Sequence, residues 1–376
     1  MAVDSLGFDV ERQRLARELF DTRFRLGIAQ SIGFGTAALL FLLLGGSAAL
    51  RSLVSDGVWW TVFAYFTAVY VAFWLAAFPF SVYGHGIEAR YGLSRQGWKG
   101  WALDDLKSLA FGYGFTLVAV EVLYWLLREL PSIWWIIAWA LGIGVSLVAS
   151  VVAPVLFIRM FYKSIRLDNP ELESRLRALA DRAGIRVLGV HVLQSSVKSA
   201  RSNAALAGAG RTRRIVLTDT LLKTHTPDEV ETILAHELAH QKHRDPAIGL
   251  SEFVITSLLS LAILQAVLPW ATGLLGLRGI ADIAGLPILM VTSGAIAFVL
   301  GPVERALSRR REARADRTAI EISGKPGAFA SAMVKLHDEN LSLARPSRLV
   351  ELFAMTHPAA WRRVSAARAF QGRALK

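Results

Sequence analysis

The residues with the most chemistry in this 376-residue chain are His236-Glu237-Leu238-Ala239-His240. Upstream, Thr226-Pro227-Asp228-Glu229 reads as a helix start: Thr226 is the N-cap, Pro227 takes the first helical position and Glu229 closes a capping box. No breaker follows before Pro246, so both histidines fall inside one helix, four residues apart on one face, with Glu237 beside them. Two imidazoles so placed can grip one metal ion. Zn2+, one per chain, suits nitrogen ligands and has no preferred d-electron geometry, although the same donors accept cobalt or manganese. The pattern H-E-x-x-H arises by chance in on the order of 1% of such chains. The plainer reading is a surface helix with incidental histidines.

A catalytic zinc needs a third protein ligand and a place for water. In Glu312-Ala313-Arg314-Ala315-Asp316, Glu312 is the candidate ligand. Asp316, one turn on, can accept the other ring N–H of a ligand histidine and fix its tautomer. Alone, Arg309-Arg310-Arg311-Glu312 would read as a charged helix face at a membrane surface. Taken together the two motifs define peptide hydrolysis by an activated water, whose pKa falls from about 15.7 toward about 7 on the metal. Glu237 takes its proton and passes it to the leaving amine. The anionic intermediate needs donors, each worth about 3–4 kcal/mol. His357 and Arg363 suit that task by type; spacing alone does not select them.

Something must hold these residues, and composition says what. The chain is 53% hydrophobic and only 19% charged, with mean hydropathy +0.41, against about 25% charge in soluble proteins. Its apolar residues come in blocks at 26–50, 57–79, 108–127, 130–158, 253–277 and 283–303, interrupted only by Glu121. Each is long enough to cross a bilayer, which takes about 20 residues. The first follows Arg12, Arg14, Arg17, Arg23 and Arg25, a lead too long and too mixed in sign for a signal peptide. With no cysteine and no glycine period, disulfide-stapled and collagenous classes are excluded. The first, third and fifth connections hold one basic residue each, Arg51, Arg128 and Arg278, whereas the other connections and both termini are basic. That alternation predicts cytoplasmic termini and cytoplasmic hydrophilic segments, and it explains the net charge of +12 without nucleic acid, for which no motif is present.

The expectation is a mainly α membrane protein: about six transmembrane helices with a cytoplasmic, mostly helical, zincin-type catalytic domain containing a small β-sheet. Its parts are 1–160, with four spans; 161–246, carrying H-E-x-x-H; a transmembrane hairpin at 247–303; and 304–376, carrying Glu312 and His357. Residues 169–183 read as an amphipathic helix, 187–193 and 215–218 as strands, and 204–214 as a glycine-containing loop.

At this point the residues resemble the CAAX prenyl protease 1 family of integral-membrane zinc metallopeptidases, relatives of the heat-shock membrane proteases. The matching blocks are Ser202-Asn203-Ala204 and the run Arg214 to Leu222, then His236 to His240, Glu312-x-x-x-Asp316, and His357-Pro358 with Arg363. A further block, Ile87-Glu88-x-x-Tyr91-Gly92-Leu93-Ser94-Arg95-Gln96, is similar to the prenyl-protease branch. The resemblance implies His236, His240 and Glu312 as zinc ligands, Glu237 as general base, and His357 and Arg363 near the oxyanion. It implies that the strand around Asn203 and Ala204 pairs with the substrate backbone. It also implies a chamber among seven helices and cleavage near a lipidated cysteine. Six spans are counted here, a helix before Arg23 being absent, so that the chamber would be less closed or sealed by a partner or second copy.

The function expected is removal of C-terminal residues after a prenylated cysteine, at the cytoplasmic face of a multi-pass membrane protein in contact with the lipid bilayer. The alternative is quality control, cutting misfolded or unlipidated membrane proteins. An inactive scaffold would have a damaged metal site, and a transporter would have repeat-related halves. Elsewhere, Glu121 either lines a chamber or reaches the interface, and Glu252 is read as interfacial. His243 is read as solvated, and His85, His191, His225 and His337 as structural. Trp59, Trp60, Trp134 and Trp135 are read as an interfacial belt, and Arg309 to Arg311 as attracting either an acidic C-terminus or anionic lipid.

Overall fold

The computed structural model describes residues 2–54, 57–208 and 210–374. Helix α1, Val10–Leu43, starts where the Asp9 carboxylate accepts the Arg12 N–H at 2.9 Å. Residues 10–22 are therefore helical, but they extend the first spanning helix rather than forming another. A short α2, Gly46–Leu53, leads to α3, Val58–Arg90, then α4, Trp98–Glu129, and α5, Trp134–Phe161. Beyond them come β1, Ser164–Arg166; α6, Pro170–Arg182; β2, Val190–Leu193; β3, Ala204–Ala207; β4, Arg214–Thr218; α7, Asp219–Thr224; and α8, Pro227–Lys242. A hairpin of α9, Asp245–Leu274, and α10, Leu286–Ser323, precedes α11, Pro326–Glu339, α12, Arg348–Ala354, and α13, Ala360–Ala374.

Six of these helices, α1, α3, α4, α5, α9 and α10, are long and apolar enough to span a membrane. Their outer faces carry side chains such as Phe298, 71% exposed, and Val299, 69% exposed, an arrangement suited to hydrocarbon and not to water. Inward-facing Tyr65, Tyr124, Trp134, Leu268 and Ile283 form a second core between the helices. Trp134 departs from the expected interfacial belt: it is fully buried, with its indole N–H on Gln265. Trp59 and Trp60 are exposed.

The sheet has the order β1-β2-β4-β3. Strands β2 and β4 run parallel, whereas β1 on β2 and β3 on β4 run antiparallel. Residues 204–207, expected in a loop, form the edge strand instead. Nothing in Ala-Ala-Leu-Ala favours extended backbone locally; β4, with Ile215, Val216 and Leu217 all buried, supplies the partner. Gly208 then turns the chain at φ +91 where a Cβ would lie 2.7 Å from the Thr212 carbonyl oxygen, so the position admits only glycine.

One hydrophobic core joins residues from before and after the α9/α10 hairpin. Leu176, Ile215 and Leu234 pack with Phe329, Ala332 and Val364. Helix α10 carries this union physically: it leaves the apolar region, continues to Ser323 and stops at Gly324, φ +69, a left-handed cap. Two of the three arginines in the run expected to attract an acidic C-terminus or lipid are engaged internally, whereas Arg310 is exposed. Arg309 donates to the carbonyls of Glu351 and Met355, at 2.7 and 2.8 Å, and Arg311 pairs with Glu252. His243 is not simply solvated either, since its Nε2 lies 2.8 Å from the Thr318 hydroxyl.

Candidate active site

Helix α8 is the floor of the site. Its start is fixed as expected, with Thr226 Oγ1 accepting the Glu229 N–H at 3.3 Å and Glu229 returning to the Thr226 N–H at 2.8 Å. Glu229 is itself held by Ser331 and Lys335 of α11, at 2.6 and 2.8 Å. Burial of Val230 through His236 leaves the helix little freedom to rotate. The imidazoles of His236 and His240 stand nearly perpendicular, at 87°, with their Nε2 atoms 3.1 Å apart.

Helix α10 crosses α8 and delivers Glu312. Its Oε2 lies 3.2 Å from His236 Nε2 and its Oε1 3.4 Å from His240 Nε2. The opposite ring nitrogens face carboxylates: His236 Nδ1 is 3.0 Å from Asp316, and His240 Nδ1 is 2.8 Å from Asp245. A proton held on each Nδ1 leaves a lone pair on each Nε2. Two imidazole lone pairs and one carboxylate thus converge on a single point, a donor set that fits a divalent cation. Electrostatics agree. Burial alone would lower the pKa of His236, but Asp316 and Glu312 outweigh it and leave it at about 9. This spot favours positive charge.

Around that point the structure brings the other candidates together. A cavity of about 370 Å³ is lined by Asn203, Ala204, Glu237, His357 and Arg363. Burial raises the pKa of Glu237, against the pull of the two histidines. His357 places Nε2 3.3 Å from Glu312 Oε2. Arg363 is not free: its Nε and Nη2 grip the two oxygens of Asp316 at 2.7 and 2.5 Å, both side chains buried. Asp316 therefore stands between a guanidinium and an imidazole, an arrangement that fixes His236 from behind. Asn203 lies at the mouth of β3, its Oδ1 accepting the Ala204 N–H at 2.9 Å.

Sequence reasoning missed Asp245. Asp245 reaches His240 because Arg244 takes a left-handed φ of +58 at the junction of α8 and α9, folding the next residue back. The signal available was an aspartate preceding Pro246, five residues from a ligand candidate. The remaining histidines stay away from the converging donors. His85 stacks on Trp101, and His225 Nδ1 lies 2.8 Å from the Thr224 hydroxyl. His337 Nδ1 meets the Met333 carbonyl at 2.8 Å, although its side chain also borders the cavity.

Comparison with known proteins places the chain in context. Residues 166–371 match the family model described as peptidase family M48, and residues 11–163 match one described as CAAX prenyl protease N-terminal, five membrane helices. The uncharacterized metalloprotease YhfN of Bacillus subtilis is 30% identical over 294 residues, 77% of this chain and 69% of that protein. The probable CAAX prenyl protease 1 of Schizosaccharomyces pombe is 28% identical, over 76% of this chain and 60% of its own length. CAAX prenyl protease 1 of Saccharomyces cerevisiae is also 28% identical, over 78% and 68%. The crystal structure of S. mikatae Ste24p superposes with a TM-score of 0.87 at 20% identity, covering 97% of this chain and 91% of that one. That last likeness is one of fold.

Proposed function

This chain belongs to peptidase family M48, and from that premise we propose that it is a zinc endopeptidase that removes the C-terminal tripeptide following a prenylated cysteine. It is an integral-membrane metalloendopeptidase with the prenyl-protease fold. The observation that carries the finer reading is the extent of the likeness, which runs through the membrane helices of residues 11–163 as well as the peptidase part. In this reading residues 161–246 and 304–376 form the catalytic part, carried by 1–160 and by the hairpin 247–303. The alternation of Lys and Arg in the connections supports a cytoplasmic face for that part.

His236, His240 and Glu312 would hold the zinc. When bound, it would lower the pKa of a water toward about 7 and polarise the scissile carbonyl. Glu237, which lines the cavity beside the two histidines, would accept a proton from the attacking water and return it to the leaving amine. His357 donates toward the developing oxyanion, with Arg363 contributing through Asp316 as well as from the cavity wall. Asp316 and Asp245 keep both imidazoles in the tautomer that offers Nε2. Asn203 and Ala204 align the substrate as a strand added to β3.

The test is cleavage in detergent, with zinc, of one peptide made with and without a farnesyl group on its cysteine, and with Glu237→Ala protein as blank. Cutting of the farnesylated peptide alone, absent in the blank, is expected. Equal cutting of both would replace this reading with general membrane proteolysis.

A further inference from the structure

The open edge of β3 is shorter than the strand that carries it. The Thr218 N–H donates to the Asn203 carbonyl at 3.0 Å and the Asn203 N–H to Thr218 Oγ1 at 2.9 Å, so residue 203 faces β4. By the alternation of an antiparallel ladder, residues 205 and 207 do the same, while Ser202, Ala204 and Leu206 turn their N–H and C=O groups outward. At Ala204 the outward N–H donates to its neighbour's side chain, Asn203 Oδ1, at 2.9 Å, which a substrate can displace. At Ser202 the situation differs. Its N–H donates to Asn340 Oδ1 at 3.0 Å, and its carbonyl accepts from Asn340 Nδ2 at 3.2 Å.

A primary amide carries the same donor and acceptor as a peptide group, so Asn340 occupies the place that the next residue of an added strand would take. Its backbone and its neighbour are fixed there. Asn340 ends α11, the following Leu341 takes a left-handed φ of +47, and the neighbouring Glu339 accepts the Ser202 hydroxyl at 2.9 Å. Both Ser202 and Asn340 line the same cavity as Glu237 and His236.

We propose that Asn340 is a terminator of the substrate-binding edge, which limits how much chain is accommodated on the leaving side of the scissile bond. The proposal rests on the reading that substrate adds to β3. An antiparallel addition, the commoner arrangement, sends the C-terminal side of the substrate toward Ser202. Ser202 lies two residues, about 7 Å, beyond Ala204, so a chain that continues further in register collides with the Asn340 amide. A substrate whose C-terminus comes soon after the cleaved bond avoids that collision. Asn340 is thus a positioning residue that selects chain ends over chain interiors.

The experiment uses the full-length, metal-loaded protein and a mixed-sequence peptide library, prepared with and without a farnesylated cysteine. Each half of the library is made with three or with eight residues after the cysteine. Mass spectrometry reads the length of every C-terminal fragment released. The wild-type protein is expected to release short fragments at least tenfold faster than long ones, and Asn340→Ala to bring the two within about twofold. Asn340→Asp, nearly isosteric but without the donor to the Ser202 carbonyl, is expected to fall between them, and it decides the matter if the alanine protein does not fold. Fragment lengths without preference in the wild type, or a preference unchanged in the variants, would overturn the proposal. The ratio is taken within whichever half of the library is cut, so loss of the lipid requirement would sink the prenyl-protease reading and leave this one standing.

Discussion

At the scale of single residues, the converging donors are only as good as the groups that orient them. Asp245 and Asp316 each hold one imidazole through Nδ1, but their supports differ: Asp316 is locked by both arms of Arg363, while Asp245 pairs with Arg314 nearer the surface. Asp245→Asn keeps an acceptor but loses the charge that favours the N–H on Nδ1. It is expected to weaken metal retention roughly 10–100-fold, read by competition against a chelator of known affinity. Retention equal to that of the wild type would show that His240 needs no such help. The three ligand candidates were legible in the sequence because helical spacing alone aligns His236 with His240, and because Glu312 stands in a second short motif. Asp245 was not legible, since its reach depends on a left-handed turn at Arg244 that no composition rule announces. Arg363 was read as a donor to the oxyanion by type, and its grip on Asp316 could emerge only from the packing of α13 on α10.

At the scale of elements, α8 was the most readable and β3 the least. The start of α8 combines a capping threonine, a first-position proline and a returning glutamate, all local signals that require no tertiary contact. Thr226→Ala removes the cap and is expected to cost about 1 kcal/mol, seen as a lower unfolding midpoint in denaturant with unchanged helix content before the transition. A loss several times larger would mean that the cap also governs how α8 seats against α10 and α11. Strand β3 offers no such signals. Its four small or aliphatic residues become a strand only because β4 lies beside them, and the glycines that suggested a loop belong to the turn that follows. The spans sit between these extremes. Their apolar cores were plain, but α1 and α10 run well past the apolar blocks, because continuing a helix into polar sequence costs little once a buried neighbour is there to receive it.

For the whole molecule, topology makes the boldest statement. The chain contains no cysteine, so single cysteines introduced at exposed positions report without interference. Arg278→Cys, between α9 and α10, is expected to react with a membrane-impermeant thiol reagent added outside intact cells. Arg310→Cys, on the far side of the membrane in the orientation proposed, is expected to react only after the membrane is opened. The reverse pattern would invert the protein and place the site outside.

The passage of α10 from the lipid-facing region to the metal-binding cluster also bears on how the protein matures. His236 and His240 emerge from the ribosome before the hairpin does, and Glu312 lies on the returning arm of that hairpin. A nascent chain therefore owns two donors for an ion and lacks the third until α9 has entered the bilayer and α10 has come back. In the function proposed, the complete donor set therefore arrives only with the last two spans. On that reading the order of synthesis holds an unfinished hydrolase in check, already tethered by four spans, until its last two are placed.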